Sequence, residues 1–156
     1  MAQDKNKNLT ASSLIEITVT MGMLAICAFV MMPVTIQQLR IGTVVNATKD
    51  AASQVFLYQQ NAFTGKNNKD YGIAYTANNY TLFIGSSLAT AEQSTLIDLP
   101  NGTSFNDINL SNGATEIVFS SGSFRPSAYG TIRLSDGTNA HIIDINAEGI
   151  IYEYRL

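Results

Sequence analysis

The chain has 156 residues, with nine basic and 12 acidic ones and a formal net charge of −3. This length suits one modest domain with one additional element. The basic residues are scattered along the chain, whereas a protein that coats nucleic acid needs clustered Lys and Arg to neutralise phosphates. Composition therefore argues against a nucleic-acid-coating protein. The small charged fraction and the many Ser, Thr, Asn and Gly residues after position 60 are common in extracellular β domains.

The first element in chain order is a short polar segment, residues 1–11, followed by an apolar run. Residues 14–36 are apolar almost throughout and include one acid, Glu16, near the start. A helix of about 20 apolar residues crosses roughly 30 Å of hydrocarbon, so the run predicts a membrane helix. Lys5 and Lys7 precede it and favour an N-terminus on the inner side of the membrane.

The helical pattern continues from residue 37 to residue 63, where it becomes amphipathic. The positions that share one face are Ile41, Val44, Val45, Thr48, Ala52, Val55, Phe56, Ala62 and Phe63. We therefore expect one long N-terminal helix with a hydrophobic first half and an amphipathic second half. The amphipathic half should cover one face of a sheet, and the first half should lie outside the globular body.

After residue 63 the period of the pattern changes from helical to two. The polar segment 64–70 ends the helix, and strand-like runs follow at 72–76, 80–85, 95–100, 103–110, 115–121, 130–136 and on both sides of 147–149. Turn residues separate these runs, including Ala77-Asn78-Asn79 and Asp136-Gly137. The sequence predicts an α+β protein in which the long helix packs on a mainly antiparallel β domain, residues 64–156.

A motif at the start of the apolar run resembles the type IV pilin and pseudopilin family. Residues 11–16 read Ala-Ser-Ser-Leu-Ile-Glu, an apolar helix follows, and Pro33 lies seventeen positions beyond Glu16. The resemblance implies a pilin-like fold with a leader (1–11), a transmembrane and filament-core helix (12–36) and an amphipathic helix (37–63). It also implies an inner-membrane protein of a bacterium, with its N-terminus inside, that later enters an extracytoplasmic filament.

The same resemblance assigns roles to individual residues. It implies that prepilin peptidase cuts after Ala11 and that the new N-terminus, Ser12, is methylated. Glu16 then becomes the fifth mature residue and contributes to assembly, while Gly22 and Pro33 lie where the helix loosens on assembly. Ala11 stands where the family usually has Gly, and Ser12 where it usually has a large apolar residue.

The β domain is similar to the GspH/FimT branch of minor pseudopilins. The resemblance covers most of residues 55–151 and consists of Leu-Pro-x-Gly at 99–102, Ile-x-Phe at 117–119, Gly-Thr-Ile-x-Leu at 130–134 and Ile-x-Ile-Asn-x-x-Gly at 143–149. It implies a minor pilin or pseudopilin, a structural subunit of a pilus, type II secretion or competence filament. The implied partners are other pilin subunits, prepilin peptidase, the inner-membrane assembly platform and, before assembly, membrane lipid.

The sequence offers no catalytic, cofactor or metal motif, and we expect neither an enzyme nor a cofactor. Cys27 is the sole cysteine, and we interpret it as a small hydrophobic residue of the helix. We interpret His141 as a strand residue whose hydrogen bonds are satisfied. Asp136, Asn139 and Asp144 could be imagined as calcium ligands, but their spacing favours a solvated hairpin.

The sequence alone leaves two other functions open. The chain could be a filament-borne binding module for DNA uptake or adhesion, since Tyr152 and Tyr154 could stack on bases. DNA-binding members of the resembled branch carry paired arginines after the last glycine, and here only Arg155 follows Gly149, so DNA is disfavoured as a partner. The chain could also be a single-pass anchored β domain unrelated to filaments.

Overall fold

A computed structural model describes the backbone of residues 5–156 and the side chains of residues 14–29 and 41–156. Helix α1 is Lys5–Phe63, and the predicted α+β class with antiparallel strands is confirmed. The chain divides into two compact units, Met1–Leu39 and Arg40–Leu156. The second unit contains all of the strands that the structure describes.

Eight strands follow the helix, with nearly the bounds that the period-two pattern predicts. They are β1 (Tyr71–Tyr75), β2 (Asn79–Ile84), β3 (Gln93–Asp98), β4 (Ser104–Leu110), β5 (Glu116–Phe119), β6 (Gly130–Ser135), β7 (Ala140–Ile145) and β8 (Ile151–Arg155). Short 3-10 turns occupy Lys66–Asn68, Leu88–Thr90 and Ser111–Gly113. The strands form two antiparallel sheets, in the orders β3-β2-β1-β5 and β4-β6-β7-β8.

Tight turns between neighbouring strands set the register of the hairpins. In the β1–β2 turn, the N–H of Thr76 donates to the carbonyl oxygen of Asn79 at 2.9 Å. In the β6–β7 turn, the N–H of Asp136 donates to the carbonyl oxygen of Asn139 at 3.2 Å, and Gly137 has a φ of 87° that favours glycine. Both predicted hairpins are therefore confirmed.

The core of the second unit lies where the second half of α1 packs on strands of both sheets. One cluster joins helix residues Val44, Ala47, Ala51, Val55 and Ala62 to strand residues that include Ile73, Ile117, Phe119, Ile132, Leu134, Ile143 and Ile145. All of these side chains are buried. The expectation that the amphipathic half of the helix covers a sheet is thus confirmed for residues 44–62.

The buried helix face differs from the predicted one at its largest side chains. Phe56 and Phe63 were predicted to face the core, but 54% and 47% of their surface is exposed. Ala47 and Ala51 are buried in their place. Small side chains let the helix axis approach the sheets closely, whereas a phenyl ring at those positions would hold it away. The ring of Phe63 instead packs against that of Phe124, with centroids 4.0 Å apart and the ring planes tilted by 39°.

Candidate assembly site

Residues 14–29 of α1 form an exposed apolar segment, which we call the assembly segment. Every one of its side chains is exposed, and the large apolar ones range from 52% exposure at Val19 to 83% at Phe29. They are Leu14, Ile15, Ile17, Val19, Met21, Met23, Leu24, Ile26 and Phe29. Contiguous apolar surface of this kind is typical of a site that another molecule or a lipid phase covers.

The hydroxyl groups of the assembly segment are satisfied by its own backbone. The hydroxyl of Thr18 donates to the carbonyl oxygen of Leu14, and that of Thr20 donates to the carbonyl oxygen of Ile17 at 2.9 Å. Threonine in a helix commonly makes such bonds to the preceding turn. The segment can therefore enter an apolar environment without leaving these hydroxyls unsatisfied.

Glu16 is the one carboxylate of the assembly segment, and it is exposed near the segment's N-terminal end. Gly22, the predicted weak point of the helix, is also exposed, and no heavy atom lies within 4 Å of the position that a Cβ would take. The backbones of Ala11, Ser12 and Pro33 lie within α1, but their side chains lie outside the described residues. The chain brings Glu16 and Gly22 onto the same exposed segment.

Among the residues that the structure describes, no helix is both long enough and apolar enough to cross a membrane.

A buried polar residue, Gln59, ties the helix to two loops of the globular unit. Its side chain is 2% exposed, and its Nε2 donates to the carbonyl oxygen of Phe124 at 2.9 Å and to that of Gly149 at 2.6 Å. Each carbonyl belongs to a loop that follows a strand. The sequence pattern assigned Gln59 no contact in the core. Its spacing could have shown its burial, because it lies four residues after Val55 and three before Ala62 on one helix face.

The structure corrects the sequence-based interpretation of His141 as a satisfied strand residue. His141 does lie in β7, but its Nε2 is buried and has no hydrogen-bond partner within the described part of the chain. Burial lowers the pKa of the imidazole, and the charges of Arg155 and Lys49 lower it further, while Glu153 opposes them. The neutral form is therefore favoured in the folded chain.

The carboxylate of Asp136 caps the β6–β7 hairpin. Its Oδ1 accepts hydrogen bonds from the backbone N–H groups of Thr138 at 2.8 Å and Asn139 at 2.6 Å, and its Oδ2 accepts one from Asn139 Nδ2 at 3.3 Å. Over the described residues, no group of three or more His, Cys, Asp or Glu side chains is arranged to hold a metal ion. The contacts of Asp136 are those of an Asx turn.

Tyr152 and Tyr154, the residues that sequence alone suggested for base stacking, are both exposed on β8, as is Arg155. Tyr152 pairs with Asp144 of β7, so a carboxylate lies beside one of the two rings. A nearby carboxylate does not favour a phosphate backbone. The arrangement gives DNA contact no added support.

The structure is thus that of an α+β protein with a β unit that has its own core and a helical segment, residues 14–29, with exposed apolar side chains. Comparison with family models, with curated proteins and with solved structures finds no match to the chain.

Proposed function

We propose that this chain is a minor pilin or pseudopilin, a structural subunit of a type IV pilus-like filament. The observation that carries the proposal is the assembly segment, whose large apolar side chains are all exposed around one carboxylate, Glu16. A single chain with this surface needs either lipid or the corresponding helices of other subunits to cover it. The resemblance to pilins implies both kinds of cover, lipid before assembly and the helices of neighbouring subunits afterwards.

Glu16 has a specific role in this proposal. In a bundle of apolar helices an ionised carboxylate is costly unless an opposite charge lies beside it. Cleavage after Ala11 by prepilin peptidase frees the α-amino group of Ser12, and the amino group of a neighbouring subunit then pairs with Glu16. The pair forms only in a processed and correctly staggered filament, so it selects both the maturation state and the register of the subunits.

Pro33 and Gly22 would allow the helix to change length between its two environments. Proline removes one backbone hydrogen bond and clashes with the preceding turn, and glycine weakens helix more than other residues apart from proline. The subunit enters the filament from the inner membrane with the help of the assembly platform. Methylation of Ser12 would leave its amino group able to carry a positive charge.

The proposal is tested by processing and by assembly. Mass spectrometry of the chain from its native host should find a mature form that begins with methylated Ser12. A chain that begins at Met1 or Ala2, with no methylated Ser12 species, would count against prepilin processing and would favour a plain membrane-anchored β domain.

For assembly, Glu16→Gln removes the charge with little change in size, and we expect it to abolish incorporation of the subunit into sheared filaments. The matched control is Glu148→Gln, the same substitution at an exposed residue of the β unit. Both variants should reach the membrane in equal amounts. Normal incorporation of the Glu16→Gln subunit would overturn the proposed role of the carboxylate.

A further inference from the structure

Among the described residues, strand β8 forms an edge of the second sheet and pairs on one side only, with β7. Two backbone hydrogen bonds show how its amide groups are oriented. The N–H of Leu156 donates to the carbonyl oxygen of Ala140, and the N–H of Asn146 donates to that of Ile150, both at 3.1 Å. Backbone groups alternate in direction along an antiparallel strand. The open edge is therefore offered by the N–H and C=O groups of Ile151, Glu153 and Arg155.

We propose that this edge binds a second copy of the same chain, by antiparallel pairing of two β8 strands about a twofold axis at Tyr154. With the axis there, Glu153 lies opposite Arg155 of the second copy, and Arg155 lies opposite its Glu153. Both residues direct their backbone groups to the open edge, so each Glu–Arg pair also exchanges N–H···O bonds. Cross-strand pairs of opposite charge stabilise a sheet.

Charge and hydrogen-bond direction select this register over its neighbours. An axis at Glu153 places glutamate opposite glutamate, and an axis at Arg155 places arginine opposite arginine, which is unfavourable. An axis at Tyr152 leaves both charges without an opposite partner. An axis between two residues would set outward backbone groups against inward ones and form no ladder. The axis at Tyr154 is the one that satisfies both requirements.

The side chains on the other face of β8 fit the same register. Tyr154 meets Tyr154 of the second copy in a pair without backbone hydrogen bonds, the kind in which side chains lie closest. Tyr152 meets Leu156 of the second copy. In the single chain these three side chains are 51% (Tyr152), 44% (Tyr154) and 63% (Leu156) exposed, and pairing would cover apolar surface on each of them.

The other three edge strands lack this complementarity. Along β3 the one charged residue is Asp98, along β4 it is Asp107, which lies opposite Arg133 of β6, and along β5 it is Glu116. Strand β4 is also irregular near Asp107, and such bulges discourage pairing at an edge. A strand that carries one sign of charge cannot form an ion pair with its own copy, and β8 carries both signs.

The space beside β8 is open on its helix-facing side. A groove of about 490 Å³ lies there, lined by Lys49, Ala52, Ser53 and Phe56 of the helix and by Ile151 and Glu153 of the strand. A helix that covers a sheet edge prevents strand addition, and here an open groove lies between these helix residues and the start of β8. A single strand pair buries less than the ~1,200 Å² of a stable interface, so the association is weak and is best detected by a covalent trap.

The test uses the full chain in non-ionic detergent, with Cys27→Ser so that the introduced cysteine is the only thiol. Tyr154→Cys places two Cα atoms ~4.5 Å apart across the axis, within the range of a disulfide. The matched control, Tyr152→Cys, places them ~13 Å apart, four residues of strand, which a disulfide cannot span. Under mild oxidation we expect disulfide-linked dimer from Tyr154→Cys at several times the yield from Tyr152→Cys. Equal yields would overturn the proposed register.

A second test exchanges the charges of residues 153 and 155 in the Tyr154→Cys chain. Glu153→Arg alone and Arg155→Glu alone should each lose the crosslink, because like charges then oppose each other. The double exchange should restore it, and so should a mixture of the two single variants, since their charges are complementary. Circular dichroism confirms that each variant is folded. Crosslinking that survives both single exchanges would overturn the proposal.

The proposal does not depend on filament assembly. If Glu16→Gln abolishes incorporation but the cysteine yields at 152 and 154 are equal, the pilin proposal stands and β8 pairing fails. If the crosslink forms and charge exchange controls it, but the chain from its native host shows no methylated Ser12 species and Glu16→Gln is incorporated normally, β8 pairing stands and the pilin proposal fails.

Discussion

Replacing Gln59 by leucine tests how firmly the helix is tied to the loops around Phe124 and Gly149. Leucine keeps much of the volume but removes the Nε2 donor, so the two carbonyl oxygens lose hydrogen bonds of 2.9 and 2.6 Å. Losing the partner of a buried carbonyl costs about 1–3 kcal/mol, and losing a half-buried hydrogen bond costs about 0.5–1.5 kcal/mol. We therefore expect the free energy of unfolding to fall by about 2–4 kcal/mol.

The assay is equilibrium unfolding of the full chain in non-ionic detergent, followed by tyrosine fluorescence, for which the chain has seven tyrosines and no tryptophan. The midpoint should shift to lower denaturant concentration at an unchanged slope. The matched control is Gln60→Leu, the same substitution at the next, partly exposed position. On the helix, position 60 faces away from the two carbonyls. The substitution there should cost less than about 1 kcal/mol.

The hydrogen bonds also predict which part of the chain Gln59→Leu loosens first. Hydrogen exchange should accelerate first at the amide of Ile150, which donates to Asn146 Oδ1 at 2.8 Å in the loop that Gln59 holds. If Gln59→Leu and Gln60→Leu shift the midpoint equally, the two hydrogen bonds contribute nothing measurable and the reasoning is refuted.

Two further predictions concern the same unit. Gly149→Ala should destabilise the fold much more than Gly137→Ala. The two glycines share a φ near 88°, but a Cβ at 149 would lie 2.2 Å from the Phe124 carbonyl oxygen, whereas no atom lies within 4 Å of a Cβ at 137. Equal shifts in the unfolding midpoint would contradict this reasoning. For His141, a folded-state pKa below the ordinary value of 6.5 means that the unfolded chain takes up its proton first. The contribution of the neutral imidazole to stability should thus be fully present above about pH 6.5 and should be lost as the pH falls below it. Denaturant titrations across that range should show a smaller decline in His141→Asn, and an identical decline in both chains would exclude the imidazole as the cause.

The strands could be predicted from the sequence because each alternating run is local and is followed by turn residues. Asn78 and Gly137 lie in turns where the pattern placed them. The assignment of strands to sheets could not be predicted, because alternation fixes which face a side chain takes but not which strand lies beside it. Thus β5 pairs with β1, and β4 pairs with β6 across the intervening β5.

The helix shows the same limit at the level of side chains. Periodicity identified the general direction of the buried face, but it ranked residues by hydrophobicity and so chose Phe56 and Phe63. Packing depends on how near the sheet lies, and this favoured Ala47, Ala51 and a glutamine with two carbonyls within reach. Side-chain size and hydrogen-bond partners are properties of the assembled core, so a single helical segment does not contain them.

For the candidate assembly site, sequence predicted the segment and its carboxylate, but the carboxylate's partner cannot be read from one chain. Glu16 is exposed here, and an exposed carboxylate needs no partner because water solvates it. The need arises only when the surrounding apolar side chains, from Leu14 to Phe29, are covered by something other than water. In the proposed filament, coverage by neighbouring helices and pairing of the carboxylate would occur together, which is why the Glu16→Gln variant separates a filament subunit from an anchored domain. An anchor could keep the charge at the membrane surface, whereas a helix bundle would have to pair it or protonate it.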